Sequence, residues 1–127
     1  MRAVLGFVGS ALLLCAAAAV AAANLSGRWA LEFQRDGASA RYVADCVWEQ
    51  EGDRLSGSCA SGFDSIVTIR GQVGESRITF QFKAGTDGPV MSFSGRLDDK
   101  ASSVSGIWRS VDDRGDRAAG AFTAKKR

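Results

Sequence analysis

Cys46 and Cys59 are the residues whose type and spacing most clearly permit covalent chemistry in this chain. Of the three cysteines, Cys15 falls in an apolar N-terminal run, so an even pair remains, and an even pair in a small exported domain points to a disulfide. The alternative is two buried free thiols. Geometry favours the bridge. If a strand over 40–50 turns at Gly52-Asp53 into a strand over 54–60, the register sets Glu51 opposite Arg54 and, step by step, Cys46 opposite Cys59. Counting the alternation out from a two-residue turn makes this a non-hydrogen-bonded pair, whose close Cα atoms suit a bridge.

Beyond the cysteines the stock for catalysis is thin. The chain has no histidine, so the usual general base near neutral pH and the commonest metal ligand are both missing. Gly57-Ser58-Cys59-Ala60-Ser61-Gly62 suggests a nucleophile turn at first sight, but it departs from G-x-S-x-G and leads into a strand rather than a helix. With the cysteines bridged and no imidazole, zinc is not expected. Asp112, Asp113 and Asp116 gather three carboxylates in one loop that could chelate calcium. They lack the D-x-D-x-D-G order and a closing glutamate, and Arg114 and Arg117 neutralise them, so the segment reads as a solvated turn. The Arg114-Gly115-Asp116 tripeptide inside it is a motif that some adhesion receptors read, and the turn explains it without a receptor. Asp98-Asp99-Lys100 reads as a hairpin turn, Lys125-Lys126-Arg127 as a solubilising edge guard, and the sequon Asn24-Leu25-Ser26 as silent. The expectation is a non-enzyme with no catalytic residue, no metal and no cofactor.

The elements that would position these residues begin after a leader. Arg2 supplies a short positive region, Ala3 to Val20 is apolar, and Ala21-Ala22-Ala23 offers the small residues that a signal peptidase reads. The expectation is a signal peptide over 1–23, cleaved after about Ala23, and a periplasmic or secreted domain over 24–127. A retained anchor is the rival, since Ala3 to Ala23 is 21 residues long, but the run is Ala-rich and ends in a processing-like site. A lipid anchor through Cys15 would need a small residue before it, and Leu14 stands there. Processing leaves 104 of the 127 residues, enough for one domain with one core. Without Arg2, 15 Lys and Arg face 14 Asp and Glu, a balance that supplies no general field to attract nucleic acid.

The 15 glycines, the single proline (Pro89) and frequent Val, Ile, Thr and Phe suit short strands joined by tight turns. Alternation of apolar and polar residues predicts eight strands over 26–34, 40–50, 54–60, 65–73, 77–83, 90–97, 103–109 and 119–125. No connection is long enough to hide a crossover helix, so the sheet is expected to be an antiparallel meander. Trp29, Leu31 and Phe33 share one face of the first strand, and Tyr42, Ala44, Cys46, Trp48, Leu55 and Gly57 share the inner face of the cysteine hairpin. An apolar residue two positions before a glycine recurs at Leu25/Gly27, Leu55/Gly57, Ile69/Gly71, Phe93/Gly95 and Val104/Gly106. A glycine weakens a strand unless the sheet bends sharply there, and closing a narrow barrel demands such bends. The fold class is therefore all-β, a single eight-stranded up-and-down barrel. A two-sheet sandwich is the competing architecture.

Gly27-Arg28-Trp29 at the start of an eight-strand meander resembles the lipocalin and avidin-like barrels, and most of all the small exported bacterial lipocalin-like proteins of undefined function. Leu25-Ser26-Gly27-Arg28-Trp29, Gly52-Asp53-Arg54-Leu55-Ser56-Gly57, Ile78-Thr79-Phe80, Phe93-Ser94-Gly95-Arg96-Leu97 and Gly120-Ala121-Phe122-Thr123-Ala124 carry that resemblance in order along the chain. It implies that Trp29 packs across one barrel end and closes it. Lipocalins also carry a T-D-x-x-Y turn, to which Thr86-Asp87-Gly88 corresponds only in its first two residues. Ala30-Leu31-Glu32 follows Trp29 where avidins place the asparagine that begins their biotin set, so no biotin site is implied. A third resemblance is to periplasmic inhibitors of bacterial metalloproteases, which share the L-S-G-x-W opening, a single disulfide and an eight-stranded barrel. Those act through a segment preceding the barrel.

These readings lead to a non-catalytic exported binding protein. Its expected partner is a small hydrophobic ligand or an envelope protein, with no nucleic acid and no membrane span after processing. Protease inhibition and a structural role in envelope assembly are the alternatives. The aromatic residues Trp29, Tyr42, Trp48, Phe80, Phe82, Phe93, Trp108 and Phe122 are expected to fill the barrel, and some of them to line an open mouth where such a ligand would sit.

Overall fold

The computed structural model describes residues 24–61, 65–85 and 87–127. The leader over 1–23, with Cys15, lies outside them, as do Gly62 of the cysteine-flanking segment and Thr86. Eight strands follow one another: β1 (Gly27–Arg35), β2 (Arg41–Glu51), β3 (Arg54–Ser61), β4 (Ile66–Val73), β5 (Arg77–Lys83), β6 (Val90–Leu97), β7 (Ser103–Val111) and β8 (Arg117–Lys126). Each pairs antiparallel with the next, and β1 also pairs with β8, so the sheet closes into an up-and-down barrel. Closure removes every free strand edge. It also settles the choice between barrel and sandwich.

The cysteine hairpin has the expected register. Glu51 faces Arg54 and Cys46 faces Cys59, whose Cα atoms lie 4.0 Å apart and whose sulfurs are bonded. Of the two turn residues only Gly52 has a positive φ, 64°, the requirement of a type II′ turn with glycine first. Strand bounds differ from the alternation mostly at the ends. β7 runs on to Val111 and β8 begins at Arg117 because the intervening turn is tight. There Asp112 Oδ1 accepts from the backbone N–H groups of Arg114 and Asp116, and Asp112 N–H donates to Asp116 O. The carboxylate that sequence offered to a cation is thus committed to holding its own loop.

Inward-facing glycines make room for aromatic rings on the neighbouring strands. Gly27 and Gly57 flank Trp48, Gly71 faces Phe80, Gly106 faces Phe122 and Gly120 faces Trp108. At Gly57 (φ +153°) a Cβ would stand 2.1 Å from Val47 O, and at Gly106 one would stand 2.0 Å from Ser94 O, so even alanine forces the strands apart. Apart from Gly27, where a Cβ would touch only the Lys126 side chain, each glycine lets its strand approach its neighbour's backbone while the ring opposite covers the gap, and this small-against-large pairing fits side chains into a narrow lumen.

The rings form one connected column. Trp29 stacks on Trp48 (4.5 Å between centroids), Trp48 touches Phe80 (5.4 Å), Phe80 stacks on Phe93 (4.7 Å), and Phe122 meets Phe93 edge-on (5.1 Å). Around them Leu25, Leu31, Leu55, Ile69, Ile78 and Val104 are almost wholly buried. Burial of each such side chain stabilises the fold by roughly 1.5–3 kcal/mol, and the edge-to-face and offset pairs add about 0.5–1.5 kcal/mol each.

Candidate functional site

The two ends of the barrel differ. At the end where β1 begins, Leu25 enters the lumen and is fully buried. Its N–H donates to Gln50 Oε1 at 2.8 Å, and its carbonyl accepts from Trp29 Nε1 at 2.9 Å. Lys126 Nζ reaches Asn24 O at 3.4 Å, and Ser26 Oγ accepts from Gln50 N–H. Residues 24–26 are therefore stitched to the barrel floor, with the Trp29–Trp48 stack directly above. Trp48 Nε1 is buried without a hydrogen-bond partner among the described residues.

At the opposite end β1, β3, β5 and β7 terminate and the even strands begin. Here the lumen opens into a depression of about 720 Å³. Its floor and walls include Leu31, Phe33, Val67, Phe82, Met91 and Trp108, with Tyr42 and Arg41 on the rim. Phe33 is the hub of this end: it stacks on Tyr42 (5.3 Å) and meets Trp108 (5.6 Å) and Phe93 (5.6 Å) edge-on. Trp108 is held by its indole N–H, which donates to Gln34 O at 3.2 Å. Ser110 is the buried polar residue among those described, and its side chain borders the same depression. Arg41 is drawn along the rim by an ion pair with Glu32 at 2.7 Å.

The eight aromatic residues singled out in the sequence thus separate by depth. Trp29, Trp48, Phe80, Phe93 and Phe122 belong to the packed column, while Phe82 and Trp108, also buried, and the exposed Tyr42 border the mouth. Tyr42 departs from the expectation that it packs inside, because it is 49% exposed. It has the inward phase of β2 but stands at the first turnward position, beyond the level at which the opposing strands converge. Phe33 and Met91 join the mouth although sequence analysis did not single them out for it. Phe33 could have been found as the last inward residue before the turn at Arg35-Asp36-Gly37, whereas nothing local marks Met91.

The chemistry this end can perform is adsorption. An apolar basin with the Ser110 hydroxyl in its wall near the end of β7 and cations on its rim lies within the roughly 300–1,000 Å³ range of small-molecule sites. No group of three or more Cys, Asp or Glu residues placed to hold a metal occurs among the described residues. The disulfide belongs with an oxidising, extracytoplasmic setting, and no helix among the described residues is long and apolar enough to cross a membrane. Compared with protein-family models and with curated proteins, the sequence matches none.

Proposed function

We propose that this is a non-catalytic, exported, lipocalin-like binding protein whose barrel mouth takes up one small apolar molecule. The observation that carries the reading is the contrast inside a single lumen: a floor of rings with almost no exposure, and above it a basin of about 720 Å³ whose apolar walls include Phe33, Phe82, Met91 and Trp108. Phe82, Met91 and Trp108 are themselves nearly buried, so the uncovered apolar surface of the mouth is that of half-buried Phe33 and half-exposed Tyr42, which a bound apolar molecule would cover. The filled lower lumen limits the ligand to the mouth, so a compact or short-chain molecule fits better than a long one threaded through the barrel. Ser110, next to last in β7 and opposite Met91, supplies a hydroxyl in the wall of the mouth to orient a polar atom.

Protease inhibition fits less well. Its expected device is a free segment leading into the barrel, and here Leu25 is buried and bonded at both its N–H and its carbonyl. The deciding experiment follows 1-aminoanthracene, an apolar fluorophore, as it is titrated into the purified oxidised protein, with native mass spectrometry of the same sample for adducts. Saturable one-to-one uptake that weakens severalfold in Tyr42→Arg, at the half-exposed rim of the mouth, is the expected result. Uptake unaffected by Tyr42→Arg, or no uptake together with an adduct-free spectrum, would remove the mouth as a ligand site.

A further inference from the structure

The near-balance of total charge hides a segregation that the fold exposes. Strands β1 to β3 carry both signs, with Glu32, Asp45, Glu49 and Glu51 among their arginines. Strands β4 to β7 carry Arg70, Arg77, Lys83, Arg96 and Arg109 and no carboxylate. The register places four of these on one outer face. Arg70, Gln81, Ser92 and Arg109 form a row across the four strands, and Arg77 faces Arg96 at the end of the same face. Between them Thr79, Gln81, Ser92 and Ser94 make a mostly polar floor bordered by the half-exposed Ile107, and Arg70 and Arg109 flank it in a depression of about 580 Å³.

Three features argue that this face is more than a solvated surface. Arg77 and Arg96 sit directly opposite each other, and like charges in a cross-strand pair are destabilising. A local rule broken without compensation is where function is expected. Second, the ion pairs among the described residues, Arg41–Glu32 and Arg127–Asp45, involve none of the four arginines. The nearest carboxylates form no ion pair with them. Asp98 is spent on Ser102 and Ser103, Glu75 stands in the turn before Arg77, and Glu49 and Glu51 border Arg70 from the β2 side of a neighbouring depression. Third, Arg77 is turned over the floor, donating to Ser94 Oγ at 3.3 Å.

We infer that the outer face of β4 to β7 binds an acidic polysaccharide, a chain of sugars bearing carboxylate or sulfate groups. Guanidinium forks match planar carboxylates and sulfates, and serine, threonine and glutamine side chains both donate to and accept from sugar hydroxyls. Adjacent strands lie about 4.8 Å apart, so the Cα atoms of Arg70 and Arg109 are roughly 14 Å apart, a span suited to several linked anions rather than one small ion. The face presents no aromatic ring on which a nucleic-acid base could stack. The closed barrel offers no free edge to which an acidic peptide could add as a strand.

The test measures binding of fluorescein-labelled heparin and polygalacturonate to the purified oxidised protein over a salt series. Polyphosphate and single-stranded DNA serve as competitors. Saturable binding that weakens steeply with salt is expected, as is a loss of about tenfold or more in R70Q/R109Q, which removes two charge-assisted contacts. The charge-matched control R28Q/R127Q, on the β1 side and at the C-terminus, should bind as the parent does, and thermal transitions must show that both variants fold. Equal losses in the two double variants would reduce the effect to net charge and overturn the assignment. So would unchanged binding in R70Q/R109Q, or tighter binding of polyphosphate or DNA than of either saccharide.

Discussion

At one end of the barrel Leu25, Trp29 and Trp48 are sealed from water, and the chain entering β1 is bonded to the strands around it. At the other, half-buried Phe33 and half-exposed Tyr42 stack above Trp108 and Met91, which border a basin instead of a plug. The same alternation of inward apolar residues builds both ends, so the difference does not come from residue type. It comes from what covers the rings: residues 24–26 lie tucked across the floor, where Leu25 is buried and bonded to Gln50 and Trp29, and no segment among the described residues covers the mouth in that way. Stability should therefore be concentrated at the floor, leaving the mouth free for recognition.

The largest expected effect breaks or upholds that division directly. Trp29→Ala removes a fully buried ring, its stack on Trp48 and the partner of Leu25 O, and should cost about 3–5 kcal/mol in urea unfolding. Tyr42→Ala removes a half-exposed ring at the mouth and should cost less than about 1 kcal/mol. Comparable losses at the two positions would mean that the mouth is as structural as the floor.

Next in size is the disulfide, which ties β2 to β3 between the two ends. The bridge spans a sequence separation of 13, for which loop closure gives roughly 3 kcal/mol. The double variant Cys46→Ser/Cys59→Ser should unfold at correspondingly lower urea. Amide exchange should rise first on the mouth side of the pair, at Val43 and Ala44, and last at Trp48. Exchange rising uniformly along the hairpin would show that the two ends do not open separately.

How much of this was legible beforehand follows the same axis. Turn length and alternation are local properties, and they sufficed for the eight strands, for the Cys46–Cys59 register and for the glycine signal of closure. Gly120, which faces Trp108, belongs with the other inward glycines but has only the small Ala118 two positions before it, not the large apolar residue that marked them. Depth along the barrel was not legible, because alternation tells which face a residue occupies but not how far the strand opposite reaches. That depends on the stagger accumulated around the closed sheet. Tyr42 and Ala44 share a phase in β2, yet one is half exposed and the other buried. Charge was illegible for a related reason: a total sums over strands, and only the register shows that Arg77 and Arg96 are neighbours.

The two floor tryptophans sharpen the comparison further. Trp29 Nε1 donates to Leu25 O, while Trp48 Nε1 has no partner among the described residues. Replacing each by phenylalanine removes similar volume, but Trp29→Phe also leaves a buried carbonyl unpaired, at about 1–3 kcal/mol, whereas Trp48→Phe removes an N–H that has no partner to lose. Thermal or urea unfolding should rank Trp48→Phe as the milder change by at least about 1 kcal/mol. The reverse order would show that the tie to Leu25 contributes nothing to sealing the floor.

The smallest effect concerns the turn joining β6 to β7 at the floor. Ala101 has φ 55° there, a left-handed conformation that an L-residue adopts only at a cost of roughly 1–2 kcal/mol. Asp98 compensates: its carboxylate accepts from the N–H groups of Ser102 and Ser103 and from the Ser102 hydroxyl. The hydrogen bond from Ser102 N–H is the chief cause holding the Asp98 carboxyl below the ordinary aspartate range. A depressed pKa means that the ionised form stabilises the fold above the ordinary aspartate value, and that this contribution is lost as pH falls through the lower, folded-state value. Asp98→Asn should therefore lower the thermal midpoint slightly at neutral pH and flatten its decline below about pH 4, where the parent loses the same bonds by protonation. If the variant declined as steeply as the parent in acid, the turn would owe its left-handed residue to the strands on either side of it and not to the carboxylate.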